Sequence, residues 1–443
     1  MTKNFFKQTA WSAVAALALG ARAWAAEFAI HDGERVVFLG DSITEQRLYT
    51  TYIEAYTLTR HPAWKLWFRN VGWGGDTAWL RQRTHADEKA LFAADATEQA
   101  RIVTDAVGRG LARDVFPLKP TFVTVKFGMN DHAYVAFRED IFRAYVRSQT
   151  EIAKDLAGVG AHVAFLTPQP IEEKRADPDK DVRNQSLRKF SDGLKEVATQ
   201  THEQFVDQFD PYMAIMLHER KTDPNVLIGG GDAVHPGPAG HTLMAWAILK
   251  HLGAGDLVSF AEIDAAAGKV VTGNQCKVEN LKKTATDLSF DRLDNALPMP
   301  IDPRATAALK LAPITLQLNR YQLKVTGLAE GRYEIFIDGK AVHAATSQEL
   351  AEGVNLANNA SPITKQAGAV LDLVFQKNNT YYNRWRNIQL ANLPGWAQGP
   401  ELEAKRNAEL AKLDKEIEGF ETRINAERQP KTHHFEIKPA AAK

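Results

Sequence analysis

The chain is predicted to fold as an α/β domain on a parallel sheet, followed by a mixed β and helical region. Two observations support this fold class. Between residues 27 and 253 short apolar runs alternate with amphipathic segments, a pattern typical of parallel strands with helices on both faces. After residue 253 the pattern changes to apolar and polar residues that alternate around glycine turns, which indicates short antiparallel strands.

Composition limits the classes of function. The 443 residues are enough for two or three domains, each with its own core. Lys plus Arg and Asp plus Glu number 54 each, so no overall field attracts nucleic acid or an anionic membrane, and neither is expected as a partner. A single cysteine, Cys276, excludes an intramolecular disulfide.

Residues 1–26 are predicted to be a signal peptide. Lys3 and Lys7 precede a short apolar run, and small residues place the cleavage after Ala25 or Ala26. The run is too short to span a bilayer, although an uncleaved anchor is the alternative. The mature protein is therefore expected to be periplasmic or secreted, with no membrane span.

Five strands are predicted in the α/β domain. Each is a short apolar run bounded by Gly, Pro or a helical segment. In chain order they lie in RVVFLG, KLWFRNVGWGG, TFVTVKFGMND, HVAFLTPQP and EQFVDQFDPY. The predicted helices include YIEAYTLTRH, YVAFREDIFRAYVRSQTEIAKDLAGVGA and SLRKFSDGLKEVATQTH. The turn GWGG does not fit a dinucleotide fingerprint and no Walker-type loop is present, so no nucleotide cofactor is expected.

Residues capable of acyl-transfer chemistry stand where these strands end. They are Ser42 in GDS, Gly75 in NVGWGGDT, Asn130 in GMND, and Asp232 and His235 in GGGDAVHPG. A serine nucleophile needs a base, which His235 can be, and Asp232 three residues earlier can turn back to orient the ring. The N–H groups of Ser42 and Gly75 and the amide of Asn130 are predicted to stabilise an oxyanion.

The blocks GDSITE, NVGWGGDT, GMND and DAVHP resemble, in order and spacing, the four sequence blocks of the SGNH/GDSL hydrolase family. The resemblance covers roughly residues 35–252. It implies a flavodoxin-like three-layer α/β/α fold and hydrolysis of esters without a metal or other cofactor. The roles that it implies are Ser42 as nucleophile, His235 as base, Asp232 as the group that orients it, and Gly75 and Asn130 as further oxyanion donors.

Each of these residues also has a purely structural alternative. Ser42 could cap the following helix, Asn130 could be an ordinary turn residue, and His235 could be a loop histidine. Asp41 and Asp131, which adjoin two site residues, are expected to hold loops by hydrogen bonds and not to act as an acid/base pair. No cluster of His, Cys, Asp or Glu has metal-ligand spacing, so no metal is expected.

Aromatic residues near the blocks indicate a carbohydrate substrate. Trp73 and Tyr134 are predicted to contact a sugar ring, with packing in the core as the alternative. The leading interpretation is an esterase that removes O-acetyl groups from a polysaccharide or oligosaccharide. A general short-chain carboxylesterase or a lysophospholipase is the competing enzyme, and a catalytically silent glycan-binding protein is the alternative of another class. The glycan, the acetyl position and the oligomeric state are left open.

The predicted organisation has four parts: the signal peptide, the SGNH hydrolase domain 27–253, a β-rich accessory region 254–398, and a charged helix with its tail, 399–443. ITLQLNRYQLKVTGLAEGRYEIFIDGKAV is predicted as a β-meander with a hairpin turn at Asp338-Gly339. The charged helix has an apolar stripe of Leu402, Leu410, Leu413, Ile417 and Phe420. The accessory region could bind glycan, but completion of the catalytic fold or an oligomer contact is favoured because no linker separates it.

Overall fold

The computed structural model describes residues 27–175, 177–392 and 398–440. The predicted signal peptide lies outside the described residues. Among those described, no helix combines the length and apolar character needed to cross a membrane.

A five-stranded parallel sheet forms the centre of the first half of the chain. Its strands are β1 Arg35–Gly40, β2 Trp67–Asn70, β3 Phe122–Lys126, β4 His162–Leu166 and β5 Gln204–Val206. They lie in the order β2-β1-β3-β4-β5. The chain therefore changes direction across the sheet between β1 and β3, and ligands bind beyond the carboxyl ends of strands at such a point.

Helices cover both faces of this sheet. They are α1 Ser42–Glu45, α2 Leu48–Arg60, α3 Arg81–Thr84, α4 Glu88–Ala93, α5 Ala96–Asp114, α6 Glu139–Ala157, α7 Val182–Thr201, α8 Phe209–Glu219 and α9 Pro238–His251. Alternate side chains of β1 point to opposite faces: Val36 and Phe38 join one apolar core with α2 and α9, whereas Val37 and Leu39 join another with α5 to α7. The predicted three-layer α/β/α fold is confirmed.

Several parts of this domain differ from the sequence prediction. The helix predicted from Tyr134 begins at Glu139, because the preceding residues form turns in which Ala133 and Tyr134 adopt φ of 54° and 57°. The sequence prediction also assigns no helix to residues 81–114, 209–219 or 238–251, which form α3 to α5, α8 and α9.

The C-terminal region contains two further sheets. Its strands are β6 Leu257–Asp264, β7 Lys269–Asn274, β8 Cys276–Lys283, β9 Leu288–Asp294, β10 Arg320–Thr326, β11 Arg332–Ile337, β12 Lys340–Thr346, β13 Val354–Asn355 and β14 Thr432–Pro439. One sheet has the order β13-β10-β6-β7 and the other β12-β11-β14-β9-β8. Apolar side chains of both sheets form one shared core, which includes Ile263, Leu323, Phe290, Ile335 and Phe435.

The remaining helices of this region lie between and after these strands. They are α10 Ala308–Leu311, α11 Ile314–Leu318, α12 Ser347–Glu352, α13 Pro362–Tyr382 and α14 Pro400–Glu427. The segment Asn383–Gln389 continues α13 as a π-helix, and we call it the π segment. In α14 the predicted stripe is partly buried, since Leu413 and Ile417 are covered whereas Leu402 is exposed.

The predicted β-meander is only partly correct. The hairpin of β11 and β12 turns at Asp338 and Gly339 as predicted. However, β10 belongs to the other sheet, where it pairs parallel to β6 and antiparallel to β13. The last strand, β14, lies between β9 and β11, so the predicted segments 254–398 and 399–443 share one sheet.

A buried ion pair joins the C-terminal region to the α/β domain. Lys377 of α13 contacts Glu54 of α2, and each side chain is only 2% exposed. Asn378 donates from Nδ2 to Glu54 Oε2 at 3.0 Å and to Thr51 Oγ1 at 3.0 Å. The Glu54 carboxylate is thus compensated by groups more than 300 residues away in the chain.

Replacement of Lys377 tests this connection. We expect Lys377→Met to lower the free energy of unfolding by about 3–5 kcal/mol, because it leaves the Glu54 carboxylate buried without a cation. Urea unfolding of the variant measures the loss. The double variant Glu54→Leu/Lys377→Met should recover most of it, and a single variant as stable as wild type would contradict the interpretation.

Candidate active site

Ser42 lies at the carboxyl edge of the sheet, as the first residue of α1. The cap of this helix is Asp41, whose Oδ1 accepts from the Ile43 N–H at 2.9 Å. Because Asp41 performs the capping, the alternative that Ser42 is merely the helix cap is wrong. The Ser42 hydroxyl remains available for chemistry.

The Ser42 hydroxyl contacts a histidine and, through it, an aspartate. Ser42 Oγ lies 2.9 Å from His235 Nε2, and His235 Nδ1 lies 3.3 Å from Asp232 Oδ2. Asp232 Oδ1 accepts from the N–H groups of His235 and Val234 at 2.7 Å each, and these bonds hold the pKa of the carboxyl below its usual range. The arrangement can carry a proton from the serine to the imidazole.

The loop that carries His235 is held by side chains that follow β4. Gln169 donates from Nε2 to the Val234 carbonyl at 2.9 Å. The Glu172 carboxylate accepts from the Gly229 N–H at 3.1 Å and from the Tyr212 hydroxyl. These contacts, made by side chains after β4 and by Tyr212 of α8, hold the loop and with it His235 at the sheet edge.

The predicted oxyanion donors lie around the same edge. Gly75 has φ of 76°, and among the described residues its N–H has no hydrogen-bond acceptor. Asn130 donates one amide hydrogen from Nδ2 to the Asp76 carbonyl at 2.9 Å, and its Oδ1 accepts from the Tyr134 hydroxyl at 3.3 Å. The second amide hydrogen of Asn130 and the Gly75 N–H are thus available to a substrate.

Buried carboxylates fix the loops from below. Asp131 accepts from the N–H groups of Ala78 and Gly128 at 2.8 Å each, and burial raises the pKa of Asp131 to about 7. Lys126 Nζ lies 3.9 Å from Asp41 Oδ1, with both side chains fully buried. The structural role predicted for Asp41 and Asp131 is confirmed by these bonds.

The loop Trp73–Asp76, which we call the oxyanion loop, is held from its C-terminal side by two arginines. Arg81 donates from Nε to the Gly75 carbonyl at 2.8 Å. Arg83 donates from Nε to Asp76 Oδ2 at 2.8 Å and pairs with Asp114 at 2.6 Å. These contacts restrict the orientation of the peptide groups beside Gly75.

The two aromatic residues predicted to contact substrate have different surroundings. Tyr134 is 39% exposed and adjoins Asn130. Trp73 is partly buried, with the guanidinium carbon of Arg386 3.6 Å from the ring centroid and the ring of Trp385 edge-on at 5.9 Å. Trp73 therefore lies in a packed cluster. This is the arrangement expected if its ring packs in the core and does not contact a sugar.

Glu45 belongs to the site but is not identified from the sequence. Its Oε2 accepts from the Gly74 N–H at 2.8 Å. A Cβ at position 74 would lie 2.7 Å from that oxygen, so Gly74 leaves room for the carboxylate. The only local signal is an acidic residue in the first turn of α1, which is common at helix N-termini and does not point to this contact.

Comparison with known proteins finds relatives of the α/β domain. Residues 38–243 match the sequence model of the GDSL-like Lipase/Acylhydrolase family. An acetylxylan esterase from Geobacillus stearothermophilus is 23% identical over 252 residues, which cover 51% of this chain and 96% of that enzyme.

One solved structure shares the fold over most of the chain. A gut microbial diltiazem-metabolizing enzyme, 24% identical, aligns with a TM-score of 0.76 over 93% of this chain and 98% of its own. The crystal structure of the Geobacillus stearothermophilus acetylxylan esterase is 23% identical and aligns with a TM-score of 0.37 over 51% of this chain and 96% of its own. The first of these shows that the C-terminal region is part of a fold found in another protein.

The matched segment contains all four sequence blocks in full, and the structure places them at one edge of a parallel sheet. The α/β domain therefore belongs to the SGNH/GDSL hydrolase family and is a hydrolase domain for ester bonds.

Proposed function

We propose that the mature protein is an exported serine esterase that removes O-acetyl groups from carbohydrate. The observation that carries the proposal is the 2.9 Å contact between Ser42 Oγ and His235 Nε2 at the sheet edge that also carries the Gly75 N–H. A hydroxyl in contact with an imidazole, itself oriented by a carboxylate, is the arrangement that acyl transfer requires.

The proposed reaction has two halves. Ser42 Oγ attacks the acetyl carbonyl carbon while its proton passes to His235 Nε2, and the N–H groups of Ser42 and Gly75 with the Asn130 amide hold the oxyanion. The tetrahedral intermediate then breaks its bond to the sugar oxygen, which takes the proton from His235. Water attacks the acetyl-serine by the same route, and acetate leaves with Ser42 restored.

Two observations support acetylated carbohydrate as the substrate class. The relative that matches nearly its whole length to the α/β domain is named an acetylxylan esterase. In addition, Ser42 and His235 are only partly buried and Asp232 is exposed, which suits an acetyl group carried on a large alcohol. A short-chain carboxylesterase is the second candidate, favoured by the exposed apolar surface of Tyr134 and Val135 near Asn130.

Acetate release distinguishes these candidates. The mature wild-type protein should release acetate from an acetylated polysaccharide such as acetylxylan, or from its oligosaccharides, and Ser42→Ala should lose this activity by at least about 10³-fold. A Ser42→Ala variant that remains active would contradict the mechanism. Hydrolysis of p-nitrophenyl acetate without release from any glycan would favour the second candidate.

The pH profile tests the roles of His235 and Asp232. Because the pKa of Asp232 is held below its usual range, the carboxyl stays charged while a histidine titrates. We expect kcat/KM to fall tenfold per pH unit on the acid side, as protonation of one imidazole removes the base. Asp232→Asn should lower kcat by on the order of 10²–10⁴-fold, and a profile without an acid limb would contradict the proposed base.

Two substitutions of Tyr134 separate its hydroxyl from its ring. Tyr134→Phe removes the donor to Asn130 Oδ1 and should lower kcat about two- to fivefold with little effect on KM, because a neutral hydrogen bond contributes about 1 kcal/mol. Tyr134→Ala should also raise KM for a glycan if the ring stacks on a sugar. Steady-state kinetics on both variants measure this difference, and an unchanged kcat in Tyr134→Phe would contradict the role of the hydroxyl.

A further inference from the structure

We infer that the C-terminal region positions the oxyanion loop, through Tyr382 at the end of α13 and Arg386 in the π segment. The inference rests on the oxyanion role proposed above for Gly75. It makes Tyr382 and Arg386 positioning residues of the esterase reaction, although both lie more than 300 residues from Gly75 in the chain.

The first connection passes through Glu45. One carboxylate oxygen, Oε2, accepts from the Gly74 N–H at 2.8 Å. The other, Oε1, accepts from the Tyr382 hydroxyl at 2.9 Å and lies 3.7 Å from Arg386 Nε. The carboxylate therefore bridges the oxyanion loop and the end of α13, and each of its oxygens has its own partner.

The second connection passes through Trp73. The Arg386 guanidinium lies over the indole at 3.6 Å, and Trp385 meets the ring edge-on at 5.9 Å with an interplanar angle of 88°. The Trp73 N–H donates to the Gly40 carbonyl at 2.9 Å. Trp73 is thus held between β1 and the π segment. Of the two residues before Gly75, Trp73 contacts the C-terminal region directly and Gly74 is linked to it through Glu45.

The π segment is itself anchored. Arg384 pairs with Asp414 of α14 through two bonds of 2.6 and 2.9 Å, and the ring of Trp385 is buried and stacks with that of Tyr381. One turn earlier, Lys377 is joined to Glu54 of α2. A π-helical turn is uncommon and recurs at functional sites. Here it places Trp385 and Arg386 against Trp73 of the oxyanion loop.

These contacts matter because the Gly75 N–H belongs to the peptide group that Gly74 begins. If Gly74 moves, the Gly75 N–H turns away from the oxyanion. A misplacement of this donor by about 1 Å can lower the rate on the order of 10²-fold. The Gly75 N–H contributes little to binding of the ground-state ester. Its displacement should therefore lower kcat and leave KM nearly unchanged.

The test uses the full mature chain with p-nitrophenyl acetate as substrate and phenylboronic acid as the inhibitor. The boronic acid forms a tetrahedral adduct with a reactive serine, so its affinity depends on the oxyanion donors. The variants are Tyr382→Phe, Arg386→Met, Glu45→Gln and the double variant Glu45→Gln/Tyr382→Phe. Asn387→Ala is the control, because Asn387 lies in the same segment, is exposed, and donates from Nδ2 to Asn383 Oδ1 of that segment at 3.1 Å.

We expect Tyr382→Phe and Arg386→Met each to lower kcat about tenfold, with KM within about twofold of wild type. The inhibition constant of the boronic acid should rise by a similar factor. The double variant should be no slower than Glu45→Gln alone, since both changes break one connection. Asn387→Ala should keep the wild-type kcat.

Several results would overturn the inference. A kcat in Tyr382→Phe and Arg386→Met equal to that of wild type removes the positioning role while the proposed function stands. An equal fall in Asn387→Ala means that any change in the π segment lowers activity, and a rise in KM alone means direct contact with substrate. A wild-type chain that hydrolyses no ester overturns the proposed function itself, and this inference with it.

Discussion

Three carboxylates buried beneath the carboxyl edge of the central sheet hold the candidate site together. Asp41, Asp76 and Asp131 are each no more than 1% exposed. A buried carboxylate is costly unless donors surround it, and here the donors include the N–H groups of Ile43, Gln82, Ala78 and Gly128. The loops that carry the site residues cannot move freely, because movement would leave a buried charge without donors.

The cations of this layer come from the elements that the loops connect. Lys126 ends β3, and its pKa is lowered by burial although Asp41 and Asp131 oppose the shift. Arg83 of α3 lies between Asp76 and Asp114. Ion pairs as well as packing therefore link the strand ends, α3 and the loops. These buried interactions restrict movement of the layer on which Ser42 and Gly75 lie.

The C-terminal region is continuous with this framework. Its two sheets are tied by Arg292 of β9, which donates to Ser259 Oγ at 2.7 Å and to the Gln322 carbonyl at 3.1 Å. Strand β14 completes the second sheet after the chain has passed through α13 and α14, which pack on each other. The folded-back path explains why helix residues near position 380 can reach a loop near position 74.

Local patterns in the sequence predict the parts of this molecule whose partners are close in the chain. The apolar run Val36–Leu39 predicts β1, and Asp338-Gly339 predicts the hairpin of β11 and β12. The contact of Ser42 with His235, almost 200 residues away, has no such local pattern; it is predicted from the chemistry of the two residue types and from the family resemblance of the four blocks.

Contacts between distant segments leave no such local pattern. The pairing of β10 with β6 is one case. Apolar and polar residues alternate along β10, and this pattern is compatible with a place in either sheet. The contacts of Tyr382 and Arg386 with the oxyanion loop are another, because each depends on packing across more than 300 residues.

The most direct test of Ser42 as a nucleophile activated by His235 is to label the mature protein with a fluorophosphonate probe and to locate the adduct by mass spectrometry. We expect one adduct per chain, on Ser42. It should form rapidly in wild type and at least about 10²-fold more slowly in His235→Ala. An adduct on another residue, or equal labelling in both proteins, would contradict the assignment of Ser42 as a nucleophile activated by His235.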